Sequence, residues 1–495
     1  MKRFPFGRLF LSCLTGLSLC GCTQKNPSGS SASDVTPVEL NPVTEQEEAP
    51  VSVTDVSKLP QITPIPEPAA ETTTEAVEIS LMMVGDNLLH TGIIVSGKQD
   101  DGTYNYDFEY EDIREFLDAA DISIINQETP LGGDDREFTS YPTFNSPTAV
   151  ADAQAKAGFD VVLGATNHAY DTGLSGLIHF ADYYHNNYPN ILLCGIHGSE
   201  TDAPAEAASE PETAPYGPPA PEGWRNRKEK AHPSTRVHTD DPRVYLLDVK
   251  GYTFAFINAT YSHNWESVAR DVVGHLDFLC PYDPNTYRLN MTEVAPQVLD
   301  DIREADRIAD VVIVCPHWGV EYTFQPMPYQ TTMAQAMIDA GADVIIGAHP
   351  HVVEPVEWIT TPNGNEALCY YSLGNYTSTQ DYPERVYEAM AWVQFRDDGD
   401  GMKVDRDKSG ALSIINHYTY SPLRFGHIYL LEDYSEELCN AHGLLPRTGR
   451  RLNMNDLKSW EAQLLGDYAL KRADVLGDGA GSGTGTENET AGDEP

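Results

Sequence analysis

Short apolar runs that stop abruptly at polar residues recur along the chain, with stretches of helical period between them. Glu78-Ile79-Ser80-Leu81-Met82-Met83-Val84 ends at Gly85-Asp86-Asn87, and Ile122-Ser123-Ile124-Ile125 ends at Asn126-Gln127-Glu128. Phe159-Asp160-Val161-Val162-Leu163 leads to Ala165-Thr166-Asn167-His168. Farther on, Val311-Val312-Ile313-Val314-Cys315 runs into Pro316-His317-Trp318-Gly319, a second strand ends in His349-Pro350-His351, and residues 367–371 run into Ser372-Leu373-Gly374-Asn375. Apolar runs of this length without alternation fit strands buried on both faces. Helices are predicted over 111–120, 148–157 and 293–308, the last with Val294, Val298, Ile302 and Ala305 toward the sheet, and one more between the two histidine strands. Further strands are expected over 191–194, 244–249, 252–258 and 385–395, with 411–415 as a hairpin partner. A single helix over 454–473, carrying Leu457, Trp460, Leu464, Leu465 and Tyr468 on one stripe, is expected to cover the domain from outside. Alternating helices and apolar strands describe an α/β fold. Ligands of such sheets bind beyond the carboxyl ends of the strands, so these polar tips can converge.

The two ends of the chain break the pattern. Lys2, Arg3 and Arg8 precede an apolar run, Leu9 to Leu19, that is too short for a mature membrane span and reads as an export signal over 1–22. It closes on Leu19-Cys20-Gly21-Cys22, which resembles a bacterial lipobox and makes Cys22 the expected lipidation site; Cys20, or an ordinary secretory signal, is the alternative. The expected location is the outer face of the cell membrane, held by lipid. Residues 23–77 are rich in Ser, Thr, Pro and Glu and are expected to form an extended linker. The folded domain is placed at 78–434 with a mobile insertion at 198–243, followed by a helical extension at 435–476 and a disordered tail at 477–495.

Charge narrows the partners. The formal net charge of −43 makes nucleic acid an improbable ligand, because its phosphates would be repelled. The cysteines outside the signal, Cys194, Cys280, Cys315, Cys369 and Cys439, are widely spaced, and no CxxC pair marks a sulfur metal site.

The strand tips line up Asp86, Glu128, Asn167 with His168, His317, and His349 with His351. Carboxylates, imidazoles and an amide oxygen suit borderline divalent ions such as Mn, Fe or Zn, one or two of them. Singly, each residue has an ordinary reading as a cap, a turn residue or a loop histidine. Together, at the ends of successive strands, they point to a shared metal site and to hydrolysis of phosphate esters or amides. His90, His179, His263 and His417 lack such a context and are read as core or surface residues.

Gly85-Asp86, Asn126-Gln127-Glu128, Asn167-His168-Ala169-Tyr170-Asp171-Thr172-Gly173, His317-Trp318-Gly319-Val320-Glu321-Tyr322, Gly347-Ala348-His349-Pro350-His351 and Tyr371-Ser372-Leu373-Gly374-Asn375 resemble, in that order, the capsule-synthesis CapA (PgsA-type) proteins associated with poly-γ-glutamate, members of the calcineurin-like metallophosphoesterase superfamily. The resemblance covers about 79–429. It implies a four-layer α/β sandwich, two mixed sheets face to face with helices outside. It further implies that Asp86 and His351 bind one ion, that Asn167, His317 and His349 bind the other, and that Glu128 bridges them. His168 falls at the catalytic histidine position, and Asn87, Asp171 and Asn375 at positions expected to contact substrate. Two departures stand out. Asp86-Asn87-Leu88 lacks the Asp-x-His start of the superfamily, and Thr166 and Thr129 replace the usual Asn and Gly. The resemblance implies a metal-dependent hydrolase or transferase that makes, anchors or processes poly-γ-glutamate or a related capsule polymer. The alternatives are a general metallophosphoesterase and a non-catalytic accessory subunit of a capsule synthase or exporter. Expected partners are the anionic extracellular polymer or those synthase and export subunits. Few bases are available to hold such a polymer, with Arg114, Arg136, Arg270, Arg288 and Arg424 as scattered candidates.

Overall fold

The computed structural model describes residues 76–199, the backbone of 235–237, residues 243–419, the backbone of 420 and 423–425, and residues 426–477. The export signal with Cys22, the linker up to residue 75, nearly all of the 198–243 insertion and the tail after 477 lie outside the described residues. Among the described residues no helix is long and apolar enough to cross a membrane.

Two mixed sheets form the framework. In the first, the order is Leu423–Leu430, Gly410–Tyr420, Tyr387–Asp397, Val77–Asn87, Ile122–Asn126, Val161–Leu163 and Leu192–Cys194, with short strands added at Asn375–Thr377, Lys403–Val404 and Ala469–Leu470. From Val77–Asn87 to Leu192–Cys194 the pairing is parallel, and on the other side it is antiparallel. The second sheet runs Val356–Thr360, Glu366–Tyr370, Val344–Ile346, Val311–His317, Tyr252–Thr260, Tyr245–Val249 and Thr235–Val237. Its four middle strands are parallel and its outer ones antiparallel.

Side-chain alternation along the strands builds the layers. Successive strand residues face opposite sides of a sheet, so Ile79, Leu81 and Met83 enter one apolar cluster while Met82 and Val84 enter another. Val311, Ile313 and Cys315 join the same cluster as Ile79, whereas Val312 and Val314 face a third. The shared cluster is the filling between the sheets, and the other two lie under helices. Phe180 and Tyr184 of helix Gly173–Asn187 cover the first sheet, and Val298, Ile302 and Met337 of helices Pro296–Ile308 and Pro328–Ala340 cover the second. The four-layer α/β sandwich is therefore the observed fold. Both faces of the parallel strands are buried, which is why their sequences run apolar without a break.

Some elements differ from expectation. Helix Gly173–Asn187 is not announced by the sequence, and the strands Val356–Thr360 and Leu423–Leu430 are additional. The expected single helix over 454–473 is divided: Met454–Trp460 is α-helical, Glu461–Leu465 makes a π turn, and Gly466 breaks the helix at φ 54° and ψ −122°. Ala469–Leu470 then pairs with strand Gly410–Tyr420. Leu457, Leu464 and Leu465 still bury, but into the filling between the sheets, so this segment closes one side of the sandwich rather than lying over its outside. The five cysteines among the described residues are all buried, with Cys194, Cys315 and Cys369 inside strands or their ends.

Candidate metal centre

Strand register brings the polar tips together. Asp86 pairs with Asn126 on one side and Asn375 on the other, and His317 pairs with Thr260 and Ala348. Where the two sheets meet at their carboxyl ends, Glu128, His317 and His349 form one trio of ligand atoms within 4.8 Å of each other. Asp86, Glu128 and His351 form a second trio on the same criterion, and Glu128 belongs to both. Every one of these residues is buried. His351 lies 3.2 Å from Asp86 Oδ2 and 3.5 Å from Glu128 Oε1, and His317 Nε2 lies 3.9 Å from Glu128 Oε1. Asn167 joins them, its Oδ1 2.9 Å from His317 Nε2.

The backbone is forced to present these groups. His349 and His351 occupy left-handed conformations, φ 100° and 57°, which ordinary side chains seldom adopt and which are commonly retained at functional sites. Gly347, just before, lies so close to the neighbouring strand end that a Cβ would sit 2.2 Å from the Tyr371 carbonyl oxygen. Gly85 has the same role beside Asp86, its Cβ position being 2.0 Å from the Gly374 carbonyl oxygen.

The electrostatics fit a cation. Both oxygens of Glu128 and Nδ1 of His317 and of His349 are buried without a hydrogen-bond partner, a costly state for isolated polar groups. Burial, countered by His351 and reinforced by Asp86, holds the Glu128 carboxyl well above its ordinary range. Burial and the neighbouring imidazoles push His317 and His349 well below theirs, so both rings present the neutral, ligating form. His351 differs: burial opposes its protonation, but Glu128 and Asp86 outweigh it and raise the ring to about 9. A divalent ion would supply the positive charge that this set of acids and imidazoles is arranged around. The residues could therefore hold a metal.

Around the ligands stands a layer of supports. Asn126 Nδ2 donates to Asp86 Oδ1 at 2.7 Å, and the His349 amide donates to Asp86 Oδ2 at 3.2 Å. Asn375 Oδ1 lies 3.0 Å from His351 Nδ1, and Asn375 is itself fixed by Glu388, whose Oε2 accepts from its backbone N–H at 2.6 Å. Thr166 Oγ1 donates to the Glu128 carbonyl at 2.8 Å, and Thr129 Oγ1 accepts from Ser146 at 2.9 Å. The two threonines that depart from the resemblance thus tie the strand tips to one another and to the next loop.

His168 sits beside the ligand set with Nδ1 2.7 Å from Asp171 Oδ2, and Phe144 stacks edge-on against its ring at 4.7 Å. Asp171 also accepts from the Phe144 amide at 2.7 Å. Of the three expected substrate contacts, Asn87 and Asn375 are fully buried and Asp171 is engaged with His168. Asn87 donates to Gln127 at 2.8 Å, starting a buried polar chain that continues through Gln154. Asp171 and Asn375 therefore position His168 and His351, whereas Asn87 is tied to Gln127. Leu88, where an Asp-x-His site would carry its histidine, is buried.

Sequence reasoning passes over Asn264. It has φ 68°, accepts from Asn167 Nδ2 at 3.0 Å, and places its own amide 3.4 Å from His168 Nδ1. Asn264 thereby aims the Asn167 oxygen at His317. The signal is present but faint: strand Tyr252–Thr260 also ends in a polar tip, at Tyr261-Ser262-His263-Asn264. Tyr261 stacks on His349 with ring centroids 4.7 Å apart.

Comparison with known proteins identifies a family. Residues 80–214 and 234–380 match the family model described as bacterial capsule synthesis protein PGA_cap. The chain is similar to the PGA biosynthesis protein CapA of Bacillus subtilis, 41% identical over 100 residues, which is 20% of this chain and 25% of that protein. It is similar to the capsule biosynthesis protein CapA of Bacillus anthracis at 24% identity over 331 residues, 66% of each chain. A probable polyglutamine synthesis accessory protein of Mycobacterium tuberculosis is 37% identical over 65 residues, 13% of this chain and 16% of that one. The chain thus spans a quarter of the first of these relatives and 66% of the second.

Proposed function

This chain belongs to the bacterial capsule synthesis family, and on that premise we propose that it is a metal-dependent hydrolase or transferase acting on poly-γ-glutamate or a related capsule polymer outside the cell membrane. The tether in this reading is a lipid on Cys22. The observation that carries the chemistry is Glu128, a fully buried carboxylate with both oxygens free of hydrogen bonds, shared between His317 with His349 and Asp86 with His351. Asp86, Glu128 and His351 would hold one divalent ion and Glu128, His317 and His349 a second, with Asn167 beside His317.

When bound, such ions supply Lewis-acid charge and activate water at neutral pH. The chain's own residues do the rest. With Nδ1 engaged by Asp171, His168 has Nε2 left to give a proton to, or take one from, a group at the site. Asn264 and Asn167 keep that ring and the metal ligands in one register. The rings of Phe144 and Tyr261 pack against His168 and His349 and wall the site.

The test is turnover of γ-linked glutamate oligomers by the full chain loaded with manganese, with a chromogenic phosphodiester in parallel. His168→Ala should lower the rate about a hundredfold or more while the metal content stays that of the wild type. A wild type that carries metal but turns over neither substrate would contradict the enzymatic reading. It would favour the accessory role that the name of the mycobacterial relative carries.

A further inference from the structure

The chain carries 75 acidic residues and 32 lysines and arginines, so an arginine without an acidic partner is unusual by composition alone. Two such arginines sit beside the metal centre. Tyr322, at φ 65°, donates its amide to the Pro350 carbonyl at 2.7 Å and holds its ring 5.9 Å from that of His351. The Arg385 guanidinium lies over Tyr322 at 3.4 Å and over Tyr382 at 4.4 Å, and the Arg450 guanidinium lies over the same Tyr382 ring at 3.8 Å. Neither arginine makes an ion pair among the described residues, and Arg385 Nε is buried without a hydrogen-bond partner. The acids nearby do not serve them: Asp381 pairs with Arg447 at 3.1 Å, and Glu321, exposed beside Tyr322, pairs with neither.

Stacking on tyrosine stabilises a guanidinium only modestly and leaves its edge donors available for an anion. Two guanidiniums sharing one ring also repel, and an anion between them relieves that repulsion. Their supports are firm, since Arg385 closes the turn Pro383–Arg385 immediately before strand Tyr387–Asp397, whose Glu388 fixes Asn375. The arginines named as candidates from the sequence are used elsewhere: Arg114 donates to the Ala157 carbonyl, Arg136 to the Thr172 carbonyl, Arg288 pairs with Glu266, and Arg270 stacks on Tyr287. The side chain of Arg424 lies outside the described residues.

We propose that Arg385 and Arg450, with Tyr322 and Tyr382, form a cationic aromatic rim that binds neighbouring carboxylates of an anionic chain and leads it to the metal centre. The choice of chain rests on the capsule-polymer reading above, whereas the binding itself does not depend on turnover. Exposed rings favour a chain over a small anion. Trp265, 67% exposed, follows Asn264 directly, and Tyr141, 75% exposed, lies on the loop that delivers Phe144 to His168. With Tyr322 and Tyr382, four exposed aromatic side chains thus belong to loops that carry or contact site residues.

The experiment measures binding of a fluorescent γ-linked glutamate decamer to the full chain, both metal-loaded and after chelation. A γ-linked glutamine decamer and a polyphosphate of equal charge serve as competitors. Arg385→Gln and Arg450→Gln should each weaken decamer binding about tenfold or more, in both metal states, because each removes charge-assisted hydrogen bonds. Arg303→Gln, on an exposed helix face, should leave it unchanged, and unaltered metal content should show that the variants fold. Arg385→Lys should recover only part of the loss, since it restores charge without the planar fork. Binding unaffected by both glutamine substitutions would overturn the proposal, as would equal competition by the neutral decamer. Polyphosphate that displaces the decamer at equal charge with higher affinity would overturn the carboxylate assignment. If turnover is absent yet the arginine dependence holds, the enzymatic reading fails and the rim stands.

Discussion

Glu109 is fully buried, and neither of its carboxylate oxygens has a hydrogen-bond partner. Burial alone raises its carboxyl to about 8. In the unfolded chain the group returns to about 4.3. Between those values the folded state holds a proton that the unfolded state has lost, so stability falls as pH rises from about 5 to 8 and then levels off. Glu109→Gln should remove that slope, worth a few kcal/mol at about 1.4 kcal/mol per pK unit. Urea denaturation of the two proteins at pH 5 and pH 8 checks it, and parallel curves would show that Glu109 is solvated or paired. Residues such as Glu109, in a single 3-10 turn, and Asn264, in a loop, are hard to read in a sequence because a lone polar residue does not announce its burial or its partners. Asp86, Glu128, Asn167, His317, His349 and His351 are easier, since each follows an apolar run whose strand direction fixes where its tip must point. Arg385 and Arg450 show the other limit: what distinguishes them is that they share the Tyr382 ring and, through Arg385 over Tyr322, lie beside His351, which only the folded chain reveals.

At the scale of elements, the centre depends on how closely strand ends approach. Gly347 sits with its Cβ position 2.2 Å from the Tyr371 carbonyl oxygen and 2.4 Å from Trp318 Nε1, and that indole donates to the same carbonyl at 2.9 Å. Gly347→Ala should therefore push strand Val344–Ile346 away from Glu366–Tyr370 and displace His349. Overpacking of this kind costs ~1–3 kcal/mol, and metal retention should fall with it. Denaturation midpoints and metal content of the variant check both effects, and a variant with unchanged values would show that the strand ends yield freely. The parallel strands are legible because burial on both faces leaves an uninterrupted apolar run. Helix Gly173–Asn187 is not, because Gly173 and Gly176 dilute its start. Gly176 is there because a Cβ would meet Thr172 Oγ1 at 1.9 Å. The division of the 454–473 segment is equally hidden, since its apolar stripe fits one helix while strand pairing at Ala469–Leu470 and the backbone of Gly466 fit another path.

For the molecule as a whole, three apolar layers account for the stacking of two sheets and their outer helices. The net charge of −43 places a long-range negative field around a site whose central ligand set could take up a cation and whose rim carries Arg385 and Arg450. Such a field attracts divalent cations and repels polyanions, so in the proposed reading an anionic polymer needs local cations, the role proposed for Arg385 and Arg450. The fold is readable from pattern and resemblance together, because six strand tips in a fixed order constrain the topology more than any single motif. The chemistry is less readable, since ligand residues alone do not fix how many ions they hold. Elemental analysis of the purified full chain beside Asp86→Ala, His317→Ala and Glu128→Gln addresses that point directly. Two equivalents of Mn, Fe or Zn are expected in the wild type, about one in each of the first two variants, and the largest loss in Glu128→Gln. A folded wild type that takes up no metal when these ions are supplied would contradict the metal centre.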